Sequence, residues 1–239
     1  MSDKSLSIAV LLAAIAFAIV PFFSNFSGYG PDAFPIPQIN PPAQPAGYAF
    51  AIWGVTYLWL VFSAVIGFAN HSADPTWRPA RLVLLASLII GAIWLPIAET
   101  NAILATVLIW AMLITALLAL ARAPDTTRWV FKASIALYAG WLAAASCVSI
   151  ALVGAGYGLL FDAHTWAMII VLTATAISCV VLLRLHAIPE FGVAVTWALI
   201  AVVAKDGLSS PSAWLAAACA LITAVLTLRQ IFAMRRLGQ

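Results

Sequence analysis

The sequence predicts an all-α integral membrane protein, a polytopic bundle of about eight transmembrane helices. Hydrophobic residues make up 65% of its 239 residues and charged residues only 8%, whereas a soluble domain carries about 25% charged and 45–50% apolar residues. The mean hydropathy is +1.09. Most of the apolar runs approach the ~20 residues that a ~30 Å hydrocarbon layer requires. If these runs cross a membrane in turn, almost all of the basic residues lie on one side of it.

Eight apolar segments are predicted to cross the bilayer, with short turn-like connections between most of them. In chain order they are Leu6–Phe23, Tyr48–Ala69, Leu82–Ala98, Ala102–Leu120, Val130–Val153, Trp166–Leu183, Phe191–Ala204 and Ser212–Ala233. The seventh is short, and a re-entrant or core-buried segment is the alternative for it. Its exclusion would move Arg229, Arg235 and Arg236 to the face opposite Arg122 and Arg128, so the charge distribution favours a full crossing.

The distribution of Lys and Arg predicts the orientation. With eight crossings, Lys205 is the only Lys or Arg residue on one side of the membrane. The other ten lie on the opposite side: Lys4, Arg78, Arg81, Arg122, Arg128, Lys132, Arg184, Arg229, Arg235 and Arg236. By the positive-inside rule that side, with both termini, is cytoplasmic, in an inner (plasma) membrane. The net charge of +3 is thus an orientation signal and calls for no nucleic-acid partner. A secretory signal is the alternative for the first segment, although no small-x-small cleavage site follows it.

One predicted outside connection differs from the others. The segment Ser24–Gly47 contains six prolines and no Lys or Arg. Because proline blocks both helix and sheet continuation, the segment is expected to be a stiff cap, a lid over a binding site, with a solvated connector as the alternative. Its apolar side chains would anchor such a lid: Phe26, Tyr29, Phe34 and Ile36.

Aromatic side chains form a second pattern. Trp77, Trp129, Trp166 and Trp214 stand at predicted membrane boundaries and are expected to be belt residues. Within the spans, two pairs each share one helix face because of their spacing: Trp53 with Tyr57, and Tyr138 with Trp141. If the two faces meet, they form an aromatic cleft suited to a flat, apolar, conjugated ligand.

Three stretches resemble the TspO/MBR family, the tryptophan-rich sensory or translocator proteins. Pro45–Tyr57 resembles the second-helix signature of that family, Ile93–Ala105 its third helix, turn and fourth-helix start, and Leu137–Ala145 its fifth helix. The resemblance covers roughly residues 1–153. It implies a five-helix core over 1–153 with a ligand cavity beneath the first outside loop, and an additional three-helix extension over 154–239.

The resemblance also implies a ligand class and a set of lining residues. The ligand would be a hydrophobic or amphipathic small molecule, a tetrapyrrole such as porphyrin or haem, or an isoprenoid-like lipid, with no cofactor required. Trp53, Tyr57, Tyr138 and Trp141 would form the walls, Trp94 would close the outer end, and Ser149 or Glu99 would supply polarity. The implied role is sensing, sequestration or facilitated movement.

The sequence departs from the family at several of its polar positions. Gly91 stands where the family has Asn, and Ala98 and Glu99 replace an aromatic pair. Leu137 replaces a proline, and other departures follow in the same helix, where Ala144 and Ser149 replace Phe and Asn.

Chemistry-bearing residues are sparse, so neither an enzyme nor a metal site is expected. The three histidines are scattered over loops on both faces, and Cys147, Cys179 and Cys219 lie singly within spans, where cysteine is usually a small packing residue. A second hypothesis is a non-catalytic accessory or assembly subunit of a larger inner-membrane complex, and a third is an uncoupled transporter. The partners expected are the lipid bilayer, the ligand, and a homodimer or membrane-complex partner on the Ala-rich last helix.

Overall fold

Eight α-helices follow one another in the computed structural model, which describes residues 2–24, 28–30, 33–42 and 44–237. They are α1 (Asp3–Ile19), α2 (Ile52–His71), α3 (Arg78–Ala98), α4 (Ala102–Arg122), α5 (Ala133–Gly156), α6 (Ala163–Arg184), α7 (Pro189–Asp206) and α8 (Pro211–Leu237). The described residues contain no β-strand. Seven of the helical segments are long and apolar enough to span a membrane, which confirms an all-α multi-pass membrane protein.

The exception is α7, which corresponds to the short seventh segment of the sequence. It is 18 residues long and carries Glu190 near its start and Lys205 and Asp206 at its end. Its apolar middle is therefore shorter than a ~30 Å hydrocarbon layer requires of a straight helix.

Side-chain caps begin several of these helices. Ser2, Asn101 and Asp162 each accept a hydrogen bond from the backbone N–H three residues later, at the starts of α1, α4 and α6. Such caps satisfy an N–H group that has no partner inside the helix. At Asp162, the hydrogen bonds from Thr165 hold the pKa of the carboxyl below its usual value. The turns of the chain are thus set by local polar residues between apolar runs.

The chain forms two compact units. The first contains residues 1–26 and 52–142, and in it α1 packs on α2 and α3 while α3 packs along α4. The second contains residues 27–51 and 143–239, and in it α8 packs on both α6 and α7. Helix α5 contributes residues 133–142 to the first unit and 143–156 to the second. The predicted division into a core over 1–153 and an extension over 154–239 rests on the family resemblance, not on packing, and stays a prediction.

A buried arginine closes one end of the first unit. The Arg81 side chain is 2% exposed, and its guanidinium donates to the carbonyls of Gly67 (2.8 Å) and His71 (3.0 Å) at the end of α2. A cation favours the negative end of a helix dipole, and the His71 carbonyl, which lies beyond the hydrogen bonds of α2 itself, also accepts from the Asp74 N–H at 3.1 Å. Arg81 therefore acts as a cap for a neighbouring helix.

Trp77 belongs to the same cluster, which corrects its assignment as a belt residue. Its ring is 1% exposed and lies between the rings of His71 (centroids 4.7 Å apart) and Phe131 (4.0 Å), with the Arg81 guanidinium 4.7 Å from its centre. Because stacking and cation–π contacts bury the indole completely, it serves packing rather than the headgroup region. Trp129 and Trp214, by contrast, are largely exposed.

The second unit is held by a seam of polar side chains. The Gln230 amide of α8 donates to the carbonyls of Leu182 and Leu185 at the end of α6, each at 2.7 Å, and its oxygen accepts from the backbone N–H of Ile188. Higher along α8, Thr223 pairs with Thr196 of α7 at 2.9 Å. In an apolar surrounding such bonds are expected to fix helix register, because an unpaired polar group there is costly.

Arg81→Met is expected to lower the free energy of unfolding by about 2–3 kcal/mol, because it removes the charged hydrogen bonds to the Gly67 and His71 carbonyls and the cation beside the buried Trp77 ring. Thermal or denaturant unfolding in mild detergent measures the change. The matched control is Arg122→Met, at an exposed arginine that ends α4. An equal loss in both variants would show that charge, rather than capping, is what the protein needs.

Candidate ligand-binding site

The two predicted aromatic pairs lie together in the first unit. Trp53 and Tyr57 stack on one face of α2, with ring centroids 5.3 Å apart and planes 14° apart. Trp141 of α5 meets Trp53 edge-on at 6.1 Å and 85°. Offset stacking and edge-to-face contact are the arrangements that aromatic rings prefer. The stripes of α2 and α5 therefore face one another within this unit.

A fifth ring, which the sequence analysis did not single out, lies among these four residues. Phe17 of α1 is 3% exposed and contacts Tyr57 (4.9 Å), Tyr138 (5.7 Å) and Trp53 (5.9 Å), with interplanar angles of 64–88°. The space expected for a ligand thus holds a phenylalanine ring here. We call Phe17, Trp53, Tyr57, Tyr138 and Trp141 the aromatic cluster.

The position of Phe17 depends on a residue without a side chain. A Cβ placed on Gly91 of α3 would stand 2.6 and 2.8 Å from two Phe17 ring carbons and 3.1 Å from the terminal carbon of Met112. Carbon atoms do not approach so closely without displacement. The absence of a side chain at Gly91 is therefore what leaves room for the Phe17 ring.

The polar contact of the cluster comes from a residue that the sequence analysis missed. The Ser87 hydroxyl of α3 donates to the carbonyl of Met112 at 2.9 Å and lies 3.0 Å from the Tyr138 hydroxyl. Because the Ser87 proton is used on Met112, the Tyr138 hydroxyl is the donor to Ser87. Both side chains are fully buried. One signal was available, since Ser87 is four residues before Gly91 and shares its helix face.

The remaining predicted residues lie elsewhere or are already engaged. The Trp94 indole N–H donates to the carbonyl of Ala105 at 2.8 Å and so ties α3 to α4. Glu99 is exposed at the end of α3, where it accepts from the Ser24 hydroxyl at 2.6 Å. Ser149 belongs to the second unit, and its hydroxyl donates to the carbonyl of Ser146. Ligand-binding roles for these three residues stay predictions.

The proline-rich segment is fixed to the second unit at several points. The Ile36 N–H donates to the carbonyl of Gly156 at 2.9 Å, and the buried Phe34 ring packs over Gly156, where a Cβ would stand 2.4 Å from it. Tyr29 packs on Phe34, and burial raises its pKa to about 12. Of the predicted anchors, Phe26 lies outside the described residues.

Helix α7 forms hydrogen bonds with the later part of this segment and with the residues that follow it. The Ala46 N–H donates to the carbonyl of Ala201 at 3.0 Å, and the Trp197 indole donates to the carbonyl of Ala49 at 3.0 Å. Lys205 is half-buried and donates to the backbone carbonyls of Asn40 and Pro41. The only basic residue on its predicted side is therefore a structural contact for the loop. These bonds make the described part of the segment ordered despite its many prolines.

The described residues hold no group of three His, Cys, Asp or Glu side chains arranged for a metal ion. Cys147 and Cys219 are buried and Cys179 half-buried, all with free thiols.

A family model for the TSPO-like protein matches residues 4–230. The chain belongs to the TSPO-like protein family. This confirms the resemblance drawn from the three sequence stretches. In this TSPO-like protein the match extends from the first turn of α1 into α8 and so includes most residues after 153. No curated protein and no solved structure is significantly similar to the chain. Family membership indicates a membrane-embedded sensory or binding protein of a generally non-enzymatic family.

Gly91→Ala in this TSPO-like protein is expected to cost about 1–3 kcal/mol of stability, because its methyl group overlaps the Phe17 ring. In a Phe17→Ala background, Gly91→Ala should cost much less, because the ring that its methyl group overlaps is gone. The two substitutions are therefore expected to be coupled in a double-mutant cycle. The control is Gly54→Ala in α2, where nothing lies within 4 Å of the added carbon. Unfolding in mild detergent measures the four proteins of the cycle and the Gly54→Ala control. Additive losses would contradict a direct Phe17–Gly91 contact.

Proposed function

We propose that this TSPO-like protein binds a hydrophobic or amphipathic small molecule at the aromatic cluster and serves in sensing, sequestering or moving it. The supporting observation is that one tight group of rings gathers residues of α1, α2 and α5 within the first unit. The ligand class, a tetrapyrrole such as porphyrin or haem or an isoprenoid-like lipid, comes from the family resemblance.

Ligand binding at this cluster would require Phe17 to move. The ring fills the space among Trp53, Tyr57 and Tyr138, so a flat ligand and the Phe17 ring would compete for the same aromatic faces. Such competition lowers the apparent affinity by the fraction of molecules in which the site is open. Phe17 would therefore set how tightly the protein holds its ligand, without contributing a polar contact.

Trp53 and Tyr57 offer the accessible part of the cluster. Both are half-buried, whereas Tyr138 and Trp141 are fully buried. A ligand arriving from the bilayer would meet the stacked faces of Trp53 and Tyr57 first. Replacement of ring–lipid contact by ring–ligand stacking gives selectivity for conjugated molecules, because saturated acyl chains lack a π-face.

Trp53→Ala combined with Trp141→Ala is expected to abolish most of the fluorescence quenching that protoporphyrin causes in the purified protein, because two walls of the site are lost. Trp214→Ala, which removes an exposed indole from α8, is the matched control and should titrate like the parent protein. An unchanged titration in the double variant would count against the aromatic cluster as the site.

Phe17→Ala should act in the opposite direction and tighten protoporphyrin binding by about tenfold, provided that the open site is populated in about a tenth of the parent molecules or less. A titration in the same detergent, with Phe232→Ala on the exposed side of α8 as control, measures the effect. Weaker binding in Phe17→Ala would mean that the ring is a wall of the site.

Purification in mild detergent separates this proposal from the accessory-subunit hypothesis. Stoichiometric recovery with a membrane complex and no ligand would support the accessory subunit.

A further inference from the structure

A cavity lies between the end of α6 and the last turns of α8, within the second unit, and none of its lining residues belongs to the aromatic cluster. Its volume is about 300 Å³, at the lower end of the range for small-molecule sites. Most of the wall is apolar and comes from Leu182, Leu183, Leu226, Ala233 and Met234. Its polar lining comes from His186, Arg229 and Gln230.

These three polar side chains differ in whether their hydrogen-bonding groups already have a partner within the protein. The Gln230 amide is used on the carbonyls of Leu182 and Leu185, which would otherwise present negative charge to the cavity. The guanidinium of Arg229 has no hydrogen bond or salt bridge within the described part of the chain. Arg229 is exposed, as is His186. The carbonyls beside the cavity are therefore already hydrogen-bonded, while the planar guanidinium of Arg229 can still donate. This arrangement suits an anion.

The position of the cavity indicates where that anion comes from. Arg184 ends α6, and Arg235 and Arg236 occupy the last turn of α8, all on the predicted cytoplasmic side. Basic pockets between membrane helices on this side attract the anionic headgroups of the inner leaflet. Glu190, the acidic residue nearest in sequence, is 9% exposed and does not line the cavity.

We propose that this cavity binds one anionic phospholipid of the inner leaflet. The phosphate lies against Arg229 and His186, and the upper part of an acyl chain follows the apolar wall of Leu183 and Leu226. The apolar wall favours a lipid over free phosphate, which would gain nothing from it. By bridging α6 and α8, the lipid would strengthen the end of the second unit where Gln230 already joins these helices.

Native mass spectrometry of the full chain in neutral detergent tests this site, with phosphatidylglycerol and phosphatidylcholine of identical acyl chains as probes. Phosphatidylglycerol should be retained in preference. Arg229→Gln should reduce its affinity about fivefold, the effect expected of one basic residue at an anionic membrane surface. Arg122→Gln, at an exposed basic residue on the same predicted side but outside the cavity, should leave the affinity unchanged.

Ala233→Trp provides a second variant, because it fills the cavity without changing any charge and should also displace phosphatidylglycerol. Retention of the lipid by Ala233→Trp would overturn the proposal, and so would equal losses in Arg229→Gln and Arg122→Gln. Equal binding of the two lipids would exclude headgroup recognition. Competition by millimolar inorganic phosphate as effective as that by the lipid would reassign the cavity to a free anion and likewise overturn the proposal.

Discussion

The close approach of the Phe17 ring to Gly91 is the contact on which the aromatic cluster depends. A side chain at residue 91 would occupy the volume that the ring now fills. With the ring in place, α1 contributes to the same group of aromatic residues as α2 and α5. Because interiors are close-packed and not fluid, one missing Cβ decides what fills the centre of the first unit.

Polar residues join helix ends in both units. Arg81 caps α2 from α3, and Gln230 caps α6 from α8 while also accepting from the start of α7. In an apolar medium the burial of a polar group without a partner is costly, and each of these side chains donates to carbonyls in or next to the last turn of a neighbouring helix. Because these bonds can be made in one helix register only, they add to the preference that side-chain packing already gives.

The family explains the aromatic pairs but not what lies between them. TSPO-like membership accounts for a membrane-embedded sensory or binding protein, and Trp53, Tyr57, Tyr138 and Trp141 stand at the positions that carried the resemblance. Phe17 and Ser87 join these four residues in the cluster, although neither belongs to the stretches that carried the resemblance. Under the proposed function, the cluster would exist in a closed form that holds Phe17 and an open form that admits a ligand, so small changes at α1 would alter affinity without altering the walls.

The sequence by itself determined the all-α class, the order of the helices with their ends to within about four residues, and the helix faces that carry aromatic residues. Composition and apolar run length decide these properties locally, since a lipid-embedded backbone must bond within its own helix. Spacing of three or four residues likewise placed Trp53 beside Tyr57 and Tyr138 beside Trp141.

Only the tertiary structure decided which residues fill the centre of the cluster and which basic residues are buried. Phe17 and Gly91 are 74 positions apart in the sequence, and nothing in the periodicity of α1 or α3 pairs them. The position of Trp77 at a span end predicts a belt residue, yet stacking with His71 and Phe131 buries it. Periodicity reports which face of a helix is apolar, whereas contacts between distant segments depend on the volumes that meet when the helices pack.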